Sequence, residues 1–432
     1  MIQELSIENF LSFRDKVEFS FEATKDNAFE DYQVVEVAPN VRLLRFAIIF
    51  GANASGKSNV LKAFDFIKDF WFETHESVNE ETGVIPFLLD RDTPHQPSKF
   101  QLKFWVDGIR YWYLLSLNEK YVENETLYYY KQNSHQPTKL FERTYVDGQS
   151  TIKFNSAAVK ISNVALEELT LKCLPNVSFF VARNQVNISL PVIDAARDWM
   201  RDKMLPYIGP TTELFEYAGR RIFDDSSLKE YLLSFIHRAD FNISEILSEK
   251  SEEKLPNGIA KLFLESEDDS IPMSIKDHIR ETGSLPRLKT RFQHNVSNER
   301  GSETYVLPTS LQSEGTQRTI GIEGAIFEAI KLQAFLSIDE IESSLHPDLV
   351  EYIIEQFLKT QDKSQLLVTT HYDPLLNTVD DLLRKDSIWF TEKDHSGNSN
   401  LYSLVDFNGL NKLSSYQRSY RNGKFGALPN IR

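Results

Sequence analysis

A glycine-rich loop ending in a lysine is the first feature of this sequence that could carry chemistry. Residues 51–58 read GANASGKS and match the pattern GxxxxGK followed by Ser or Thr at each required position. The glycines let the backbone curl so that several N–H groups point at one phosphate, which a Cβ would obstruct. Lys57 brings a cation to the β- and γ-phosphates, and the Ser58 hydroxyl can ligate Mg²⁺. The loop therefore predicts a site for ATP and Mg²⁺.

The flanks of this loop have the periodicity that a phosphate-binding loop requires. Phe46–Phe50 is a continuous apolar run, as expected for a strand that is buried on both faces. After the loop, Val60, Leu61, Phe64 and Ile67 recur at helical spacing, so a helix is predicted there. The positive end of that helix would add to phosphate binding. A chance match to the loop pattern rarely has both flanks, and this context favours the functional interpretation.

An apolar strand that ends in two acids lies far downstream. Residues 335–340 read FLSIDE, so Asp339 and Glu340 follow a predicted buried strand. Asp339 can hold Mg²⁺ directly or through water, and Glu340 can polarise the attacking water as a general base. An apolar run followed by Asp-Glu is common by itself, so its meaning depends on the neighbouring motifs.

Two further motifs frame these acids. Upstream, residues 311–318 read LQSEGTQR and lead into a predicted helix. Ser313 and Gly315 at that helix start would make an anion site of backbone N–H groups. Downstream, residues 366–371 read LLVTTH, so His371 ends another predicted buried strand, where it could contact the γ-phosphate or the water. A lone histidine after a strand is more often structural, but four motifs in this order predict one nucleotide site.

The predicted site contains three sets of residues. Those predicted to bind the nucleotide are Gly51, Ala52, Asn53, Ala54, Ser55, Gly56, Lys57, Ser58, Asn59, Ser313 and Gly315. Those predicted to be catalytic are Lys57, Glu340 and His371. Those predicted to hold the metal are Ser58 and Asp339.

These motifs resemble those of ABC-type ATPase heads, and specifically of the SMC/RecF-like branch. In that branch one chain carries the P-loop half and the signature half on either side of an insertion. The resemblance implies that residues 51–58 are Walker A, 313–316 the signature, 339–340 Walker B, 343–345 the D-loop and His371 the switch histidine. It also implies that the signature of one subunit caps the ATP held by another, so the active form is a homodimer or a higher homo-oligomer.

A narrower resemblance is carried by residues beside the motifs. Residues 339–347 read DEIESSLHP and residues 420–429 read YRNGKFGALP. These runs are similar to those of small bacterial ATPases from abortive-infection and anti-phage systems. Relatives with a Toprim-type nuclease carry it after the switch histidine, where too few residues follow here. The resemblance therefore implies a sensor or regulatory ATPase whose effector, a nuclease or toxin, is a separate protein.

Two residues depart from the usual pattern of this branch. Glu314 stands where the common LSGGQ-like signature has Gly, so the contacts across a dimer are expected to differ in detail. Leu11 stands where many relatives have a basic residue after the first strand, which affects the adenine-side contact. No Q-loop glutamine is evident from the sequence.

Hydrophobic periodicity predicts an α/β fold with an antiparallel β region and a mainly helical insertion. The resemblance implies that this fold is an ABC/SMC-like ATPase head with a mixed β-sheet and an antiparallel β subdomain. Residues 1–160 are expected to form the N-terminal half of the head, with a hairpin turn at Asp107-Gly108. Residues 161–290 are expected to form the insertion, with the acidic run 249–253 as an exposed connection. Residues 291–407 are expected to form the C-terminal half, and residues 408–432 a basic tail.

Composition excludes several other classes of protein. With 432 residues and 41% apolar residues, the chain can bury a sizeable core. The single cysteine, Cys173, excludes a disulfide framework and a zinc ribbon and fits a reducing compartment. No stretch approaches the roughly 20 apolar residues of a membrane-spanning helix, and Met1–Phe10 does not have the order of a signal peptide. We therefore expect a soluble, cytoplasmic protein without a membrane partner.

Three functions remain open from the sequence. The first is an ATP-hydrolysing sensor of an anti-phage system, and the second is a RecF-like DNA repair or recombination ATPase that binds DNA across the dimer. The net charge of −15 opposes diffuse attraction to nucleic acid but does not exclude a local basic groove. The basic residues of the tail could contact nucleic acid or a partner, or be solvated; they are Lys412, Arg418, Arg421, Lys424 and Arg432. The third, the ATP-binding subunit of a membrane transporter, is disfavoured because such subunits are usually shorter and lack such an insertion.

Overall fold

The chain contains both β-strands and α-helices. The computed structural model describes residues 1–131, 136–239, 242–265 and 273–429. In these residues the strands are β1 (Ile2–Glu8), β2 (Val17–Ser20), β3 (Val34–Ala38), β4 (Val41–Leu44), β5 (Phe46–Gly51), β6 (Ser98–Val106), β7 (Ile109–Leu117), β8 (Val122–Tyr130), β9 (Pro137–Val146), β10 (Gln149–Phe154), β11 (Glu245–Lys254), β12 (Ser284–Asn298), β13 (Gly301–Pro308), β14 (Phe335–Ile338), β15 (Gln365–Thr370), β16 (Ile388–Lys393) and β17 (Ser399–Ser403). The helices are α1 (Glu30–Gln33), α2 (Lys57–Phe70), α3 (Asn163–Lys172), α4 (Phe179–Asn184), α5 (Pro191–Lys203), α6 (Leu214–Asp224), α7 (Ser226–Arg238), α8 (Asn257–Glu265), α9 (Met273–Thr282), α10 (Glu314–Leu332), α11 (Pro347–Lys359) and α12 (Tyr416–Arg421).

The chain divides into two compact units. The first contains Met1–Pro210, Glu328–Ser343 and Val350–Arg432, and the second contains Thr211–Phe327 and Ser344–Leu349. The division after Pro210 differs from the predicted insertion boundary at residues 160–161. Helices α3, α4 and α5 belong to the first unit because their apolar side chains are buried in its core. The α4 side chain of Phe180, for example, stacks on Trp71 with the ring centroids 3.6 Å apart.

A seven-stranded sheet forms one layer of the first unit, in the order β10-β9-β8-β7-β6-β1-β2. All its neighbouring strands are antiparallel. The alternation of apolar residues in β6 and β7 places one face of these strands in the core. Asp107 and Gly108 have φ angles of 47° and 80°, which a two-residue hairpin turn requires. The predicted antiparallel region and its turn are therefore confirmed.

A five-stranded sheet in the order β14-β15-β5-β16-β17 contains the strands that precede the phosphate loop, Asp339 and His371. Its first four strands are parallel, and β17 is antiparallel to β16. Every residue of β14, β15 and β5 is buried, which explains why these strands read as continuous apolar runs. Because the three strands are adjacent and parallel, the residues that follow them start from the same edge of the sheet. The predicted α/β fold class is confirmed.

The second unit combines helices with a three-stranded antiparallel sheet, β11-β12-β13. Ile222, Leu228 and Leu232 on α6 and α7 pack with Ile246 and Phe292 of this sheet. The acidic run 249–253, expected to be an exposed connection, lies in β11 instead. The expectation was wrong because backbone pairing with β12 holds this strand, while its charged side chains remain largely exposed. Residues 240–241 and 266–272 of the predicted insertion lie outside the described residues.

The tail predicted for residues 408–432 is partly built into the first unit. Tyr416, Tyr420 and Phe425 are buried, and Tyr420 stacks on Phe390 with ring centroids 5.6 Å apart. Arg421 forms an ion pair with Asp373. Of the remaining basic residues, Lys412, Arg418 and Lys424 are exposed, and Arg432 lies outside the described residues. No helix in the described ranges is long and apolar enough to cross a membrane.

The core of the first unit also contains a fully buried ion pair. Arg143 Nη1 on β9 lies 3.2 Å from Glu125 Oε2 on β8, and both side chains are 0% exposed. Glu125 also accepts hydrogen bonds from the Ser178 hydroxyl (2.6 Å) and the Phe179 N–H (2.7 Å). The pair therefore connects the sheet to the start of α4.

Removal of the cation from this pair should destabilise the first unit strongly. Arg143→Met is expected to lower the free energy of unfolding by about 3–5 kcal/mol, because it leaves the Glu125 carboxylate buried without its partner. Chemical denaturation followed by tryptophan fluorescence would measure this loss. Lys139→Met is the matched control on the same strand, since Lys139 pairs with Glu142 at a partly exposed position. Its loss should stay below about 1 kcal/mol, and equal losses in the two variants would contradict the prediction.

Candidate functional site

The glycine-rich loop joins the end of β5 to the start of α2. A Cβ added at Gly51 would come within 2.6 Å of the Ser55 hydroxyl and the Thr391 carbonyl oxygen. Gly56 has a φ of 109°, and a Cβ there would lie 2.5 Å from the Ser399 hydroxyl. The two glycines that define the sequence pattern are therefore required by close packing and by backbone conformation.

Backbone donors are concentrated in the same loop. The Ser55 N–H donates to the Ala52 carbonyl (3.2 Å). None of the hydrogen bonds within the described part of the chain uses the N–H groups of Asn53, Ala54 or Gly56. These groups belong to the turn that precedes α2, where the helix end adds a partial positive charge. An anion is the ligand that such a turn can bind.

Lys57 is the first residue of α2 and is only 4% exposed. Its ammonium donates to the carbonyl oxygens of Gly51 (2.9 Å) and Ala52 (3.0 Å). The same Nζ lies 3.1 Å from Nδ1 of His371. Burial lowers the pKa of Lys57 from 10.5 to about 8, and the negative charges of nearby carboxylates, chiefly Asp339, oppose this fall.

His371 joins Lys57 to Glu340. Its Nε2 lies 2.9 Å from Glu340 Oε1. Because a carboxylate can only accept, Nε2 carries a proton and donates it to Glu340, while Nδ1 also lies 3.2 Å from the Gly51 carbonyl oxygen. His371 and Glu340 are both partly exposed, so water can reach them. The contact brings the ends of β5, β14 and β15 together at one place.

Glu340 leaves its strand in a strained conformation. Its φ is 47°, in the left-handed region that residues with a side chain rarely occupy. The Glu340 N–H donates to the Thr369 hydroxyl (2.8 Å), and the next N–H, of Ile341, donates to the Thr369 carbonyl (3.1 Å). These bonds hold the turn, which directs Glu340 toward His371. Strain of this kind is concentrated at functional sites.

Asp339 has a different environment from its neighbour. It is 3% exposed, and the Thr369 hydroxyl donates to its Oδ1. The Tyr207 hydroxyl donates to its Oδ2 at 2.8 Å. Tyr207 and Thr369 were not predicted as site residues, and only the TTH run next to His371 could have pointed to Thr369.

Asp339 and Ser58, the two predicted metal ligands, carry oxygen donors of the kind that magnesium prefers. No group of three or more His, Cys, Asp or Glu side chains that could hold a metal is present in the described ranges. Mg²⁺ does not need such a group, because it is bound by one or two carboxylates together with water and phosphate oxygens. Ser58 lies in the first turn of α2, next to Lys57. One buried carboxylate and one hydroxyl therefore fit this ion better than zinc, which takes several nitrogen or sulfur ligands.

Asn59 of α2 contacts the turn after β1, which contains Leu11 and Ser12. The Asn59 side-chain amide donates to the Ser12 hydroxyl (2.7 Å), and the Ser399 hydroxyl also donates to Ser12 (2.8 Å). Leu11 is partly buried against the hydrophobic core, and its N–H donates to the Ile85 carbonyl (2.9 Å). A packed apolar side chain thus occupies the position where many relatives of the predicted type have a basic residue.

The predicted signature residues Ser313 and Gly315 belong to the second unit, whereas the other predicted site residues belong to the first. The Ser313 hydroxyl accepts from the Thr316 N–H (3.1 Å) and so caps α10. A Cβ at Gly315 would come within 2.7 Å of the Ser344 carbonyl oxygen. Glu314, which replaces the usual glycine, accepts a hydrogen bond from the Ser344 hydroxyl (3.1 Å). This departure from the common signature therefore connects it to the predicted D-loop.

The parallel sheet, the phosphate loop between β5 and α2, and the acids after β14 define a P-loop α/β protein of the ATPase type. Residues 46–377 match the family model described as "AAA domain, putative AbiEii toxin, Type IV TA system". Because the match covers most of the chain, this chain belongs to that family. The predicted resemblance to the ATPases of abortive-infection systems is confirmed at the level of the family.

Solved structures with a similar course of the chain include SMC heads. One is an SMC head domain from Thermotoga maritima, which is 14% identical, has a TM-score of 0.39, and is aligned over 93% of this chain and 98% of its own. Another is an SmcHead bound to the C-winged helix domain of ScpA, with 13% identity, a TM-score of 0.41, and coverage of 95% and 99%. No curated protein matches the sequence.

The pKa of Lys57 provides a test of this geometry without any ligand. The Lys57 amine is expected to titrate near pH 8, and Glu340→Gln should lower its pKa further, because it removes a charge that favours the ammonium. NMR of protein with labelled lysine would show both, with the resonance assigned by its loss in Lys57→Arg. Since the unfolded chain holds this proton more tightly, the group's contribution to stability should increase as the pH rises from about 8 to 10.5. A Lys57 resonance that titrates near 10.5 in both proteins would contradict the described burial.

Proposed function

We propose that this chain binds ATP with Mg²⁺, hydrolyses the bond to its γ-phosphate, and acts as the regulatory ATPase of an anti-phage defence system. The observation that carries the catalytic part is the contact of Lys57 with His371 and of His371 with Glu340, at 3.1 and 2.9 Å. A cation from the start of α2, an imidazole that follows β15 and a carboxylate that follows β14 thus meet beside a loop of backbone donors. This combination suits the transfer of a phosphoryl group to water.

Each residue of this group has a role that its environment supports. The N–H groups of residues 51–58 and the Lys57 ammonium bind the β- and γ-phosphates. An anionic phosphate next to Lys57 raises the pKa of its amine, so binding stabilises the charge that makes the contact. Glu340 is partly exposed and accepts the proton of the attacking water, and His371 holds the Glu340 carboxylate in place. Ser58 and Asp339 would hold Mg²⁺, which would supply charge neutralisation at the phosphates.

The signature residues support action as a homodimer or higher homo-oligomer. Ser313 caps the start of α10, a helix of 19 residues, and such a helix start attracts anions. We infer that this element of one copy binds the γ-phosphate of ATP held by another. Closure of the dimer would then depend on the nucleotide, which a sensor can use to hold or release its effector.

The defence role is supported by the family to which the chain belongs. The description of that family names an abortive-infection toxin and a toxin–antitoxin system. We infer that the chain acts in the cytoplasm on a separate effector protein, a nuclease or a toxin, rather than on a membrane partner. The alternative of a RecF-like DNA ATPase would require hydrolysis that DNA stimulates and that falls steeply with salt.

Loss of the proposed base should separate binding from turnover. Glu340→Gln is expected to keep ATP affinity but lower turnover by about 10²-fold or more, because an amide cannot accept the proton of water. Phosphate release and binding of a fluorescent ATP analogue would measure the two effects, and light scattering should show a dimer that persists with ATP. Glu355→Gln is the matched control, since Glu355 pairs with Lys359 on α11 at the surface. Undiminished turnover in Glu340→Gln would exclude Glu340 as the base.

The defence role requires an experiment in cells. Two bacterial strains would carry this gene with its neighbouring genes, one with the wild-type gene and one with the Glu340→Gln gene. Cultures of the wild-type strain should survive phage infection better. The plating efficiency of a phage panel on the two strains measures the difference. If both strains are infected equally by every phage, the defence role is excluded, whereas the ATPase assignment would still stand on its own assay.

A further inference from the structure

A short segment after α5 extends the parallel sheet beside the strand that carries Asp339. Residues 204–208 pair with β14 through isolated parallel bridges. The N–H groups of Leu205 and Ile208 donate to carbonyl groups of β14 at 2.9 and 3.0 Å, and the Asp339 N–H donates to the Ile208 carbonyl at 2.8 Å. The backbone on both sides of Tyr207 is therefore held in register with Asp339.

The side chain of Tyr207 reaches the Asp339 carboxylate from this segment. Its hydroxyl donates to Oδ2 at 2.8 Å, while the Thr369 hydroxyl donates to Oδ1. The Tyr207 N–H donates to Oδ1 of Asp65 on α2 at 3.2 Å. Tyr207 thus connects the helix that follows the phosphate loop with the acid proposed to hold the metal.

We propose that Tyr207 is a positioning residue: its hydroxyl orients the Asp339 carboxylate, which would bind magnesium. This inference rests on the proposed function, because it assumes that Asp339 holds the ion. Each carboxylate oxygen has two lone pairs, and one on each oxygen is taken by a hydroxyl of fixed position. The directions of the remaining lone pairs are then fixed as well. Partners of this kind orient metal ligands, and their loss typically weakens metal binding by about 10–100-fold.

The test measures the metal dependence of nucleotide binding, which does not require hydrolysis. Tyr207→Phe removes the hydroxyl and keeps the ring. The affinity for a fluorescent ATP analogue should be unchanged in EDTA. The Mg²⁺ concentration that gives half of the maximal increase in analogue binding should rise about 10-fold or more. Electron paramagnetic resonance of Mn²⁺ with the same analogue should show correspondingly weaker metal binding. Tyr111→Phe is the matched control, because the Tyr111 hydroxyl donates to the Val192 carbonyl (2.9 Å), next to the seven-stranded sheet.

A second variant keeps the test decisive if Tyr207→Phe does not fold. Asp65→Ala removes the acceptor of the Tyr207 N–H and leaves the phenol in the chain. It should also increase the Mg²⁺ requirement, with metal-free binding of the nucleotide unchanged. A role limited to packing would instead lower the unfolding temperature and weaken binding with and without the metal to the same extent.

The outcomes distinguish this inference from the function on which it rests. If the wild-type protein binds no ATP, the proposed function is wrong and the role of Tyr207 is wrong with it. If the wild-type protein binds and hydrolyses ATP with Mg²⁺, but Tyr207→Phe or a folded Asp65→Ala shows the wild-type metal dependence, only the role of Tyr207 is overturned. A selective increase in the Mg²⁺ requirement, absent from Tyr111→Phe, supports it.

Discussion

The contact of the Lys57 ammonium with loop carbonyls and the His371 imidazole is the interaction on which the rest of the site depends. Lys57 is almost fully buried, and burial by itself favours its neutral form. Asp339 and Glu340 favour the charged form, so the ammonium persists at neutral pH partly because β14 ends near it. The positive charge of Lys57 therefore depends on the order of the strands and on the geometry of the loop. A change in either would alter the charge that faces the phosphate.

Two adjacent acids acquire different properties from one backbone turn. Asp339 continues the direction of β14 and is enclosed by the hydroxyls of Tyr207 and Thr369. Glu340 turns out of the strand with a φ of 47° and meets His371 near solvent. An enclosed carboxylate that accepts one hydrogen bond on each oxygen keeps lone pairs for a metal ion, whereas a partly exposed one beside an imidazole suits proton transfer. The Thr369 hydroxyl contacts both residues and so separates the two environments.

Segments distant from the motifs support the loops that carry them. Arg421 of α12 pairs with Asp373, and Gln417 accepts a hydrogen bond from Asn377 (2.9 Å). The tail thereby holds the loop that directly follows His371, and this contact accounts for one of its basic residues. In the second unit, Glu314 and Gly315 both meet Ser344, so the start of α10 and the predicted D-loop form one local structure.

Local patterns in the sequence were sufficient to predict the phosphate loop, the strands before it and before Asp339, and the family. Their spacing reflects interactions within a few residues, such as the curl of residues 51–58 and the burial of β5 on both faces. The same patterns missed β11, because its charged side chains carry no apolar alternation, and they set the insertion boundary before α3 rather than after Pro210.

Only the tertiary structure decided which of these elements meet. Lys57 and His371 are 314 residues apart in the chain, and their contact depends on β15 lying between β14 and β5. Nothing in the run 204–208 indicates that Tyr207 reaches Asp339, since a short apolar segment after a helix has many possible neighbours. Strand order is set by long-range packing, in which the burial of whole strands outweighs any local preference. The sequence therefore determined the chemical groups of the site, and the packing of the sheet determined their partners.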